Sequence, residues 1–231
     1  MNLPELYRLL ALGELTNLAM SVDSTILEEE RAKIVVHANE GLKKLYTRFL
    51  LKETDLYLDL LGHITTYNLT SKHAQSNYDP NIRRSFYIND LGSPFEDDVL
   101  RVLSVWNRLG EPVPLNRQDL WHSVFTPQPT VLQIPHPGEG APLTVHYQAA
   151  HPKLSVDDDD ADIELPEFLV GALTKFIASE VYSNMNTQES TVKAGEFASK
   201  FESICVDAIA LDLVSTGGST SGTRFIKNGW V

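Results

Sequence analysis

The stretch Leu143–Asn186 is the most informative part of the chain. Residues 143–154 read LTVHYQAAHPKL, and the alternation of apolar and polar side chains up to His151-Pro152 predicts a β-strand. An acidic run follows, and residues 163–186 then read IELPEFLVGALTKFIASEVYSNMN. Pro166 suits a helix start, because proline lacks the N–H that the first helical turn leaves unbonded. The stretch therefore predicts a β-module that is followed by a helical module. This arrangement favours a component of an assembly over an enzyme.

Composition and charge restrict the possible functions. The chain has 231 residues with 19 Lys and Arg against 31 Asp and Glu, a net charge of -12. This argues against nucleic-acid binding as the main function, because phosphate contacts need clustered cations. The single cysteine, Cys205, rules out an intrachain disulfide and indicates a reducing compartment. No stretch approaches the about 20 apolar residues of a membrane span.

Hydrophobic periodicity predicts four helices, at residues 4–21, 25–52, 166–185 and 188–214. The pattern between them changes to alternation and β-branched residues, which predicts a β-region. The predicted fold class is α+β, a four-helix bundle with an inserted small antiparallel β-module and an extended C-terminal tail. The predicted division is 1–53 and 153–214 for the two halves of the helical module, 54–152 for the β-module and 215–231 for the tail.

Two segments of the β-region are predicted to contact a neighbouring subunit or the next ring of an assembly. Residues 68–85 form a long polar loop, and long loops in compact modules are often functional. Residues 136–142 read HPGEGAP and are predicted to be the tip of a β-hairpin. Both are too polar and proline-rich for a core. The residues proposed for contact are Asn77, Tyr78, Asp79, His136, Pro137 and Glu139.

No catalytic residue, cofactor site or metal site is predicted. Of the seven histidines, His146 and His151 are the closest pair, but a five-residue offset on a strand places them on opposite faces. A calcium loop starting at Asp158 would have Ile163 where glycine is needed and Leu169 where glutamate is needed. The acidic run is therefore interpreted as a solvated linker. An enzyme alternative, a metal-dependent hydrolase, would use Asp157–Asp162 and nearby histidines.

The C-terminal segment combines a tether with aromatic and cationic groups. Residues 215–222 read STGGSTSG, a composition typical of a flexible spacer. Trp and Arg are over-represented among interface anchors. Arg224, Phe225, Ile226 and Trp230 are therefore predicted to dock into a partner protein.

The order of elements resembles that of a known family. It is carried by Ala38–Tyr46, by Tyr147-Gln148 with His151-Pro152, by Ile163–Pro166, by Ala172–Met185 and by Arg224-Phe225 with Gly229-Trp230. In these residues and in the order of its elements, the chain resembles the head-to-tail adaptor (connector) proteins of tailed bacteriophages.

The resemblance implies a structural virion protein of the neck, made in the cytoplasm of the bacterial host. Copies would form a ring, commonly of twelve, beneath the portal protein, join the capsid to the tail and surround the channel for genome ejection. The implied partners are the portal, which the C-terminal segment would bind, other copies of the chain, and a downstream tail or neck protein. DNA would pass through the lumen without sequence-specific binding, and no membrane would be involved. A tail terminator, stopper or other neck ring is the closest alternative.

Overall fold

The computed structural model describes residues 1–138, 140–158 and 160–215. Two compact units divide the chain. The first, the helical unit, combines Met1–Leu51 with the chain from His151 onward, and the second, the β unit, is Lys52–Ala150. Each unit is described by itself.

Where the structure describes it, the helical unit contains four α-helices and one short hairpin. Its elements are α1 (Leu3–Leu12), the strands β1 (Ser21–Val22) and β2 (Thr25–Ile26), α2 (Glu28–Arg48), α3 (Glu167–Ser183) and α4 (Gln188–Ala210). Helix α1 starts at a local signal, since Asn2 accepts a hydrogen bond from the Glu5 N–H at 3.1 Å. Helix α4 begins with a reciprocal capping box between Thr187 and Ser190.

Helix α3 is the shared packing partner of this unit. Helices α4, α2 and α1 each pack against it, and α1 also packs against β2. The rings of Phe176 and Phe201 meet at 5.6 Å between α3 and α4, and both side chains are buried. Between α2 and α3, a Cβ on Gly41 would come within 2.8 Å of both Leu173 and Phe176. The glycine therefore permits close approach of the two helices.

The predicted four-helix bundle with a small β-module is wrong. Across the described residues the fold is α+β, with four α-helices, ten strands and three sheets. The first predicted helix, 4–21, is too long, because α1 ends at Leu12 and the chain then forms a hairpin. The turn of that hairpin has positive φ at Asp23 and Ser24, 50° and 65°. A ten-residue α1 beside a hairpin does not supply the fourth full-length helix that a bundle requires.

The β unit has two antiparallel sheets around one core. Its strands are β3 (Glu53–Asp59), β4 (Thr66–Asn68), β5 (Ile88–Asn89), β6 (Val99–Asn107), β7 (Pro112–Val113), β8 (Phe125–Gln128), β9 (Val131–Gln133) and β10 (Pro142–Ala149). The five-stranded sheet has the order β5-β3-β10-β6-β7, and the three-stranded sheet has the order β4-β9-β8. Leu56, Leu58, Val105, Val145 and Tyr147 are among the buried residues of the core.

The predicted hairpin at residues 136–142 is also wrong. Strand β9 pairs with β4 and β8, whereas β10 pairs with β3 and β6. The segment between them therefore crosses from one sheet to the other. Alternation predicts where a strand lies but not its partner, and a Gly/Pro-rich connection fits a crossover as well as a turn.

In the described part of the chain, no helix has both the length and the apolar character needed to cross a membrane.

Candidate partner-binding loop

A closed loop connects β7 to β8, and we call residues 114–126 the Trp121 loop. A parallel bridge joins Leu115 to Val124 across its base. The Asn116 N–H donates to the Val124 carbonyl at 2.8 Å, and the Val124 N–H donates to the Pro114 carbonyl at 2.9 Å. The two ends of the loop are thus fixed to each other.

Two polar side chains stabilise the interior of this loop. Ser123 is buried, and its Oγ accepts from the Arg117 N–H at 2.9 Å and donates to the Pro114 carbonyl at 3.1 Å. Asn116 adopts φ 56°, a left-handed conformation that asparagine tolerates better than most residues. Its Oδ1 accepts from the Thr126 N–H at 2.9 Å. These bonds fix the backbone on both sides of the loop tip.

Trp121 projects from the tip with 76% of its surface exposed. Its ring meets those of His122 at 5.6 Å and His136 at 5.8 Å. We call these three side chains the Trp121 patch. A large aromatic side chain on a loop already held by hydrogen bonds loses little conformational freedom on binding, and such residues often dominate protein interfaces.

The loop at residues 68–85 is more ordered than its polar sequence predicts. It contains 3-10 turns at Ser71–His73 and Gln75–Asn77, and Ala74 between them is fully buried. Asp90, itself buried, accepts a hydrogen bond from the Ser76 N–H at 2.8 Å. Burial alone would raise the pKa of Asp90, but hydrogen bonds from Ser76 and Phe95 outweigh it and hold the pKa below its ordinary value. The prediction that this loop is too polar for a core is therefore wrong for its first half.

The second half of the same loop exposes an aromatic residue. Tyr78 is 66% exposed and meets Phe86 edge to face at 5.3 Å. We call these two residues the Tyr78 patch. Its neighbours Asn77 and Asp79 have local roles: the Asn77 amide donates to the Ser71 carbonyl, and Asp79 accepts from the Asn81 N–H at 2.8 Å.

The two patches belong to segments that leave the three-stranded sheet at opposite ends. His136 follows the end of β9, where Gln133 pairs with Thr66 and Phe125. The segment carrying Tyr78 follows the end of β4, where Asn68 pairs with Val131 at the start of β9. The structure thus brings His136 to Trp121.

Of the remaining predicted contact residues, the structure describes only Pro137. Pro137 is half-buried beside His136. Glu139 and the predicted docking residues Arg224, Phe225, Ile226 and Trp230 lie outside the described residues. Sequence reasoning missed Trp121, although a tryptophan in the polar segment NRQDLWHS of the predicted β-region was the available signal.

A cluster of one histidine and two carboxylates lies on the outer face of the five-stranded sheet. His146 on β10 pairs in register with Asp55 on β3. Its ring nitrogens lie 2.7 Å from Asp55 Oδ1 and 2.6 Å from Glu53 Oε2. Partial burial alone would lower the pKa of His146, but hydrogen bonds and charge from Asp55 and Glu53 outweigh it and raise the pKa. This pairing holds the imidazole between two carboxylates, which favours its protonated form.

Among the described residues, those invoked for metal or hydrolytic chemistry do not form one cluster. Asp157, Asp158 and Asp160 are exposed in the linker. Within the described ranges, the one group of metal-ligand type is His37, Glu40 and Glu180 in the helical unit.

Comparisons with known proteins add no assignment. Neither the protein-family models nor the curated proteins compared with this chain match it.

Proposed function

We propose that this chain is a structural protein of the tailed-phage virion neck, a head-to-tail adaptor that forms a ring between portal and tail. The observation that carries the proposal is the pair of exposed aromatic patches on segments leaving opposite ends of the three-stranded sheet. A cyclic ring needs two different surfaces on each subunit, because its contacts run head to tail. The Trp121 patch and the Tyr78 patch supply two such surfaces.

The character of the two patches suits protein contacts. Trp and Tyr are enriched among the residues that dominate binding energy. Both patches stand on loops held by internal hydrogen bonds, which lowers the cost of ordering them in an interface. We infer that each Trp121 patch contacts a neighbouring copy and that the Tyr78 patch faces the copy on the other side.

Charge and the C-terminal segment support the neck assignment. A net charge of -12 suits a ring through which DNA slides without adhering. The spacer at 215–222 followed by Arg224, Phe225 and Trp230 supports portal docking by the end of the chain.

Assembly and portal binding test the proposal. Light scattering coupled to size exclusion and negative-stain microscopy would be applied to the chain alone and mixed with portal rings. We expect wild-type rings, and a loss of self-affinity of about 30-fold in Trp121→Ala and in Tyr78→Ala, the effect of removing a ~2 kcal/mol anchor. Leu109→Ala is the matched control, because Leu109 is 79% exposed but belongs to neither patch.

Truncation after Val214 tests the portal contact separately. The truncated chain should remain folded but no longer co-sediment with portal rings. A wild-type chain that stays monomeric with and without portal contradicts the proposal. Rings that ignore the portal would instead identify a tail terminator, a stopper or another neck ring.

A further inference from the structure

Helices α2 and α3 bring three side chains of metal-ligand type together. His37 and Glu40 lie three residues apart on α2, which places them on the same face, and Glu180 comes from α3. One ligand atom from each residue lies within 4.8 Å of the other two. Residues more than 100 positions apart thus converge through the fold.

The spacing of these atoms matches a small metal site. His37 Nδ1 and Glu40 Oε2 are 3.5 Å apart. Tetrahedral zinc with bonds of ~2.0–2.2 Å separates neighbouring ligands by about 3.3–3.6 Å. Imidazole nitrogen and carboxylate oxygen are both zinc ligands, and catalytic zinc sites combine three protein ligands with a water molecule.

The local charge also favours a cation. The His37 side chain is only 13% exposed. No Lys or Arg in the described ranges forms an ion pair with Glu40 or Glu180. The nearby lysines of α2 have other contacts: Lys33 binds Glu30 at 2.7 Å, and Lys44 lies over the Phe176 ring at 4.4 Å. Two carboxylates therefore converge on one imidazole, and Lys43 and Lys44, which line the same groove, form no ion pair with either carboxylate in the described ranges.

An amide lies beside the second nitrogen of the imidazole. Asn184, at the end of α3, places its amide nitrogen Nδ2 3.5 Å from His37 Nε2. Turned by 180°, the amide would present its oxygen instead, accept from Nε2–H and leave Nδ1 free to bind a metal. Asn184 would thus act as a positioning residue for the ligand His37.

We propose that His37, Glu40 and Glu180 bind one divalent transition-metal ion of the zinc class, with water completing the coordination. The ion links α2, from the N-terminal part of the helical unit, to α3, from its C-terminal part. This inference is independent of the role in the phage neck.

Calorimetric titration of the untagged full-length chain with ZnCl2, after EDTA treatment and dialysis, tests the site. We expect one ion per chain. His37→Gln and Glu180→Gln should each weaken binding at least tenfold. The matched controls are His63→Gln, an exposed histidine of the β unit, and Glu29→Gln, an exposed carboxylate of α2, and both should bind as wild type does.

A thermal melt supplies the second measurement. Zn²⁺ should raise the midpoint of the wild-type helical signal and leave that of His37→Gln unchanged, and equal concentrations of Mg²⁺ or Ca²⁺ should have no effect. Failure of the wild-type chain to bind Zn²⁺ overturns the proposal whether or not the variants fold. Wild-type affinity for Zn²⁺ in a folded His37→Gln or Glu180→Gln variant also overturns the proposal.

Discussion

His146 shows how a single residue acquires its properties from strands far apart in the sequence. Strand β10 places it opposite Asp55 on β3, and Glu53 approaches the other ring nitrogen. Both carboxylates are acceptors, so the arrangement is fully bonded only when the imidazole carries both protons. The protonated form of His146 is therefore stabilised by folding.

We predict that the imidazole pKa of His146 in the folded chain lies above 6.5 and that Asp55→Asn lowers it, since one anionic acceptor is lost. The folded pKa is raised, so the stability that His146 contributes is fully present below pH 6.5 and is lost as pH rises through the folded pKa. An NMR titration of the ring measures the pKa. Chemical denaturation of wild type and His146→Gln at pH 6 and pH 8 measures the linkage.

The exposed His63 is the control for this titration, and His63→Gln should leave the pH dependence of stability unchanged. A His146 pKa at or below 6.5 would contradict the pairing.

The sequence predicts the strand at 143–147 from alternation, but Asp55 lies 91 positions from His146, and no local pattern identifies it as the partner. The acid pair could not be predicted because register depends on the whole sheet.

At the scale of elements, apolar periodicity locates helices better than it locates their ends. The predicted helix 25–52 corresponds to α2, Glu28–Arg48, whose first residues are acidic and whose last turn carries Arg48. The predicted helix 4–21 extends too far because Leu15 continues the leucine pattern. Leu15 is fully buried, but it lies beyond α1, which ends at Leu12 with Gly13 as its C-cap. The leucine pattern does not indicate that end.

Glycines on two helices give a matched pair of substitutions. A Cβ at Gly41 of α2 would crowd Leu173 and Phe176, whereas a Cβ at Gly195 of α4 would meet nothing within 4 Å. We predict that Gly41→Val destabilises the chain by about 1–3 kcal/mol through overpacking. Gly195→Ala should stabilise it by up to about 1 kcal/mol, because alanine has the higher helix propensity. Urea denaturation followed by circular dichroism at 222 nm measures both.

Equal stability of Gly41→Val and wild type would show that α2 and α3 do not approach as closely as described. Destabilisation by Gly195→Ala would show that this face of α4 is covered rather than open. The contrast between the two sites follows from packing and not from the residue type, which is why sequence alone gives no distinction between them.

At the scale of the whole molecule, the order of elements is easier to predict than their pairing. The sequence predicts helices at both ends and strands between them, and the structure has that order. The division of strands between two sheets and the role of α3 as shared partner depend on contacts between distant residues. The Trp121 loop likewise depends on hydrogen bonds that close it, which no periodicity indicates.

Because the helical unit uses both ends of the chain, its first half should not fold alone. In residues 1–150, α2 would lack α3, and the face of α2 at Gly41 would lose the side chains of Leu173 and Phe176. Isolated helices are marginal in water unless an apolar face is packed. We predict that the circular dichroism spectrum of this fragment retains the β-sheet signal. Its helix content should be much lower than fully formed α1 and α2 would give.

Co-expression of residues 151–231 with residues 1–150 should restore the helix by supplying α3 and α4 in trans. Circular dichroism and co-purification measure the two parts of the prediction. The matched control is a 151–231 fragment with Leu173→Asp, which places a charge at a fully buried position of α3 and should not associate. Full helicity in residues 1–150 alone would mean that α1, α2 and the β1–β2 hairpin form a stable core without α3, and would contradict the central position given to that helix.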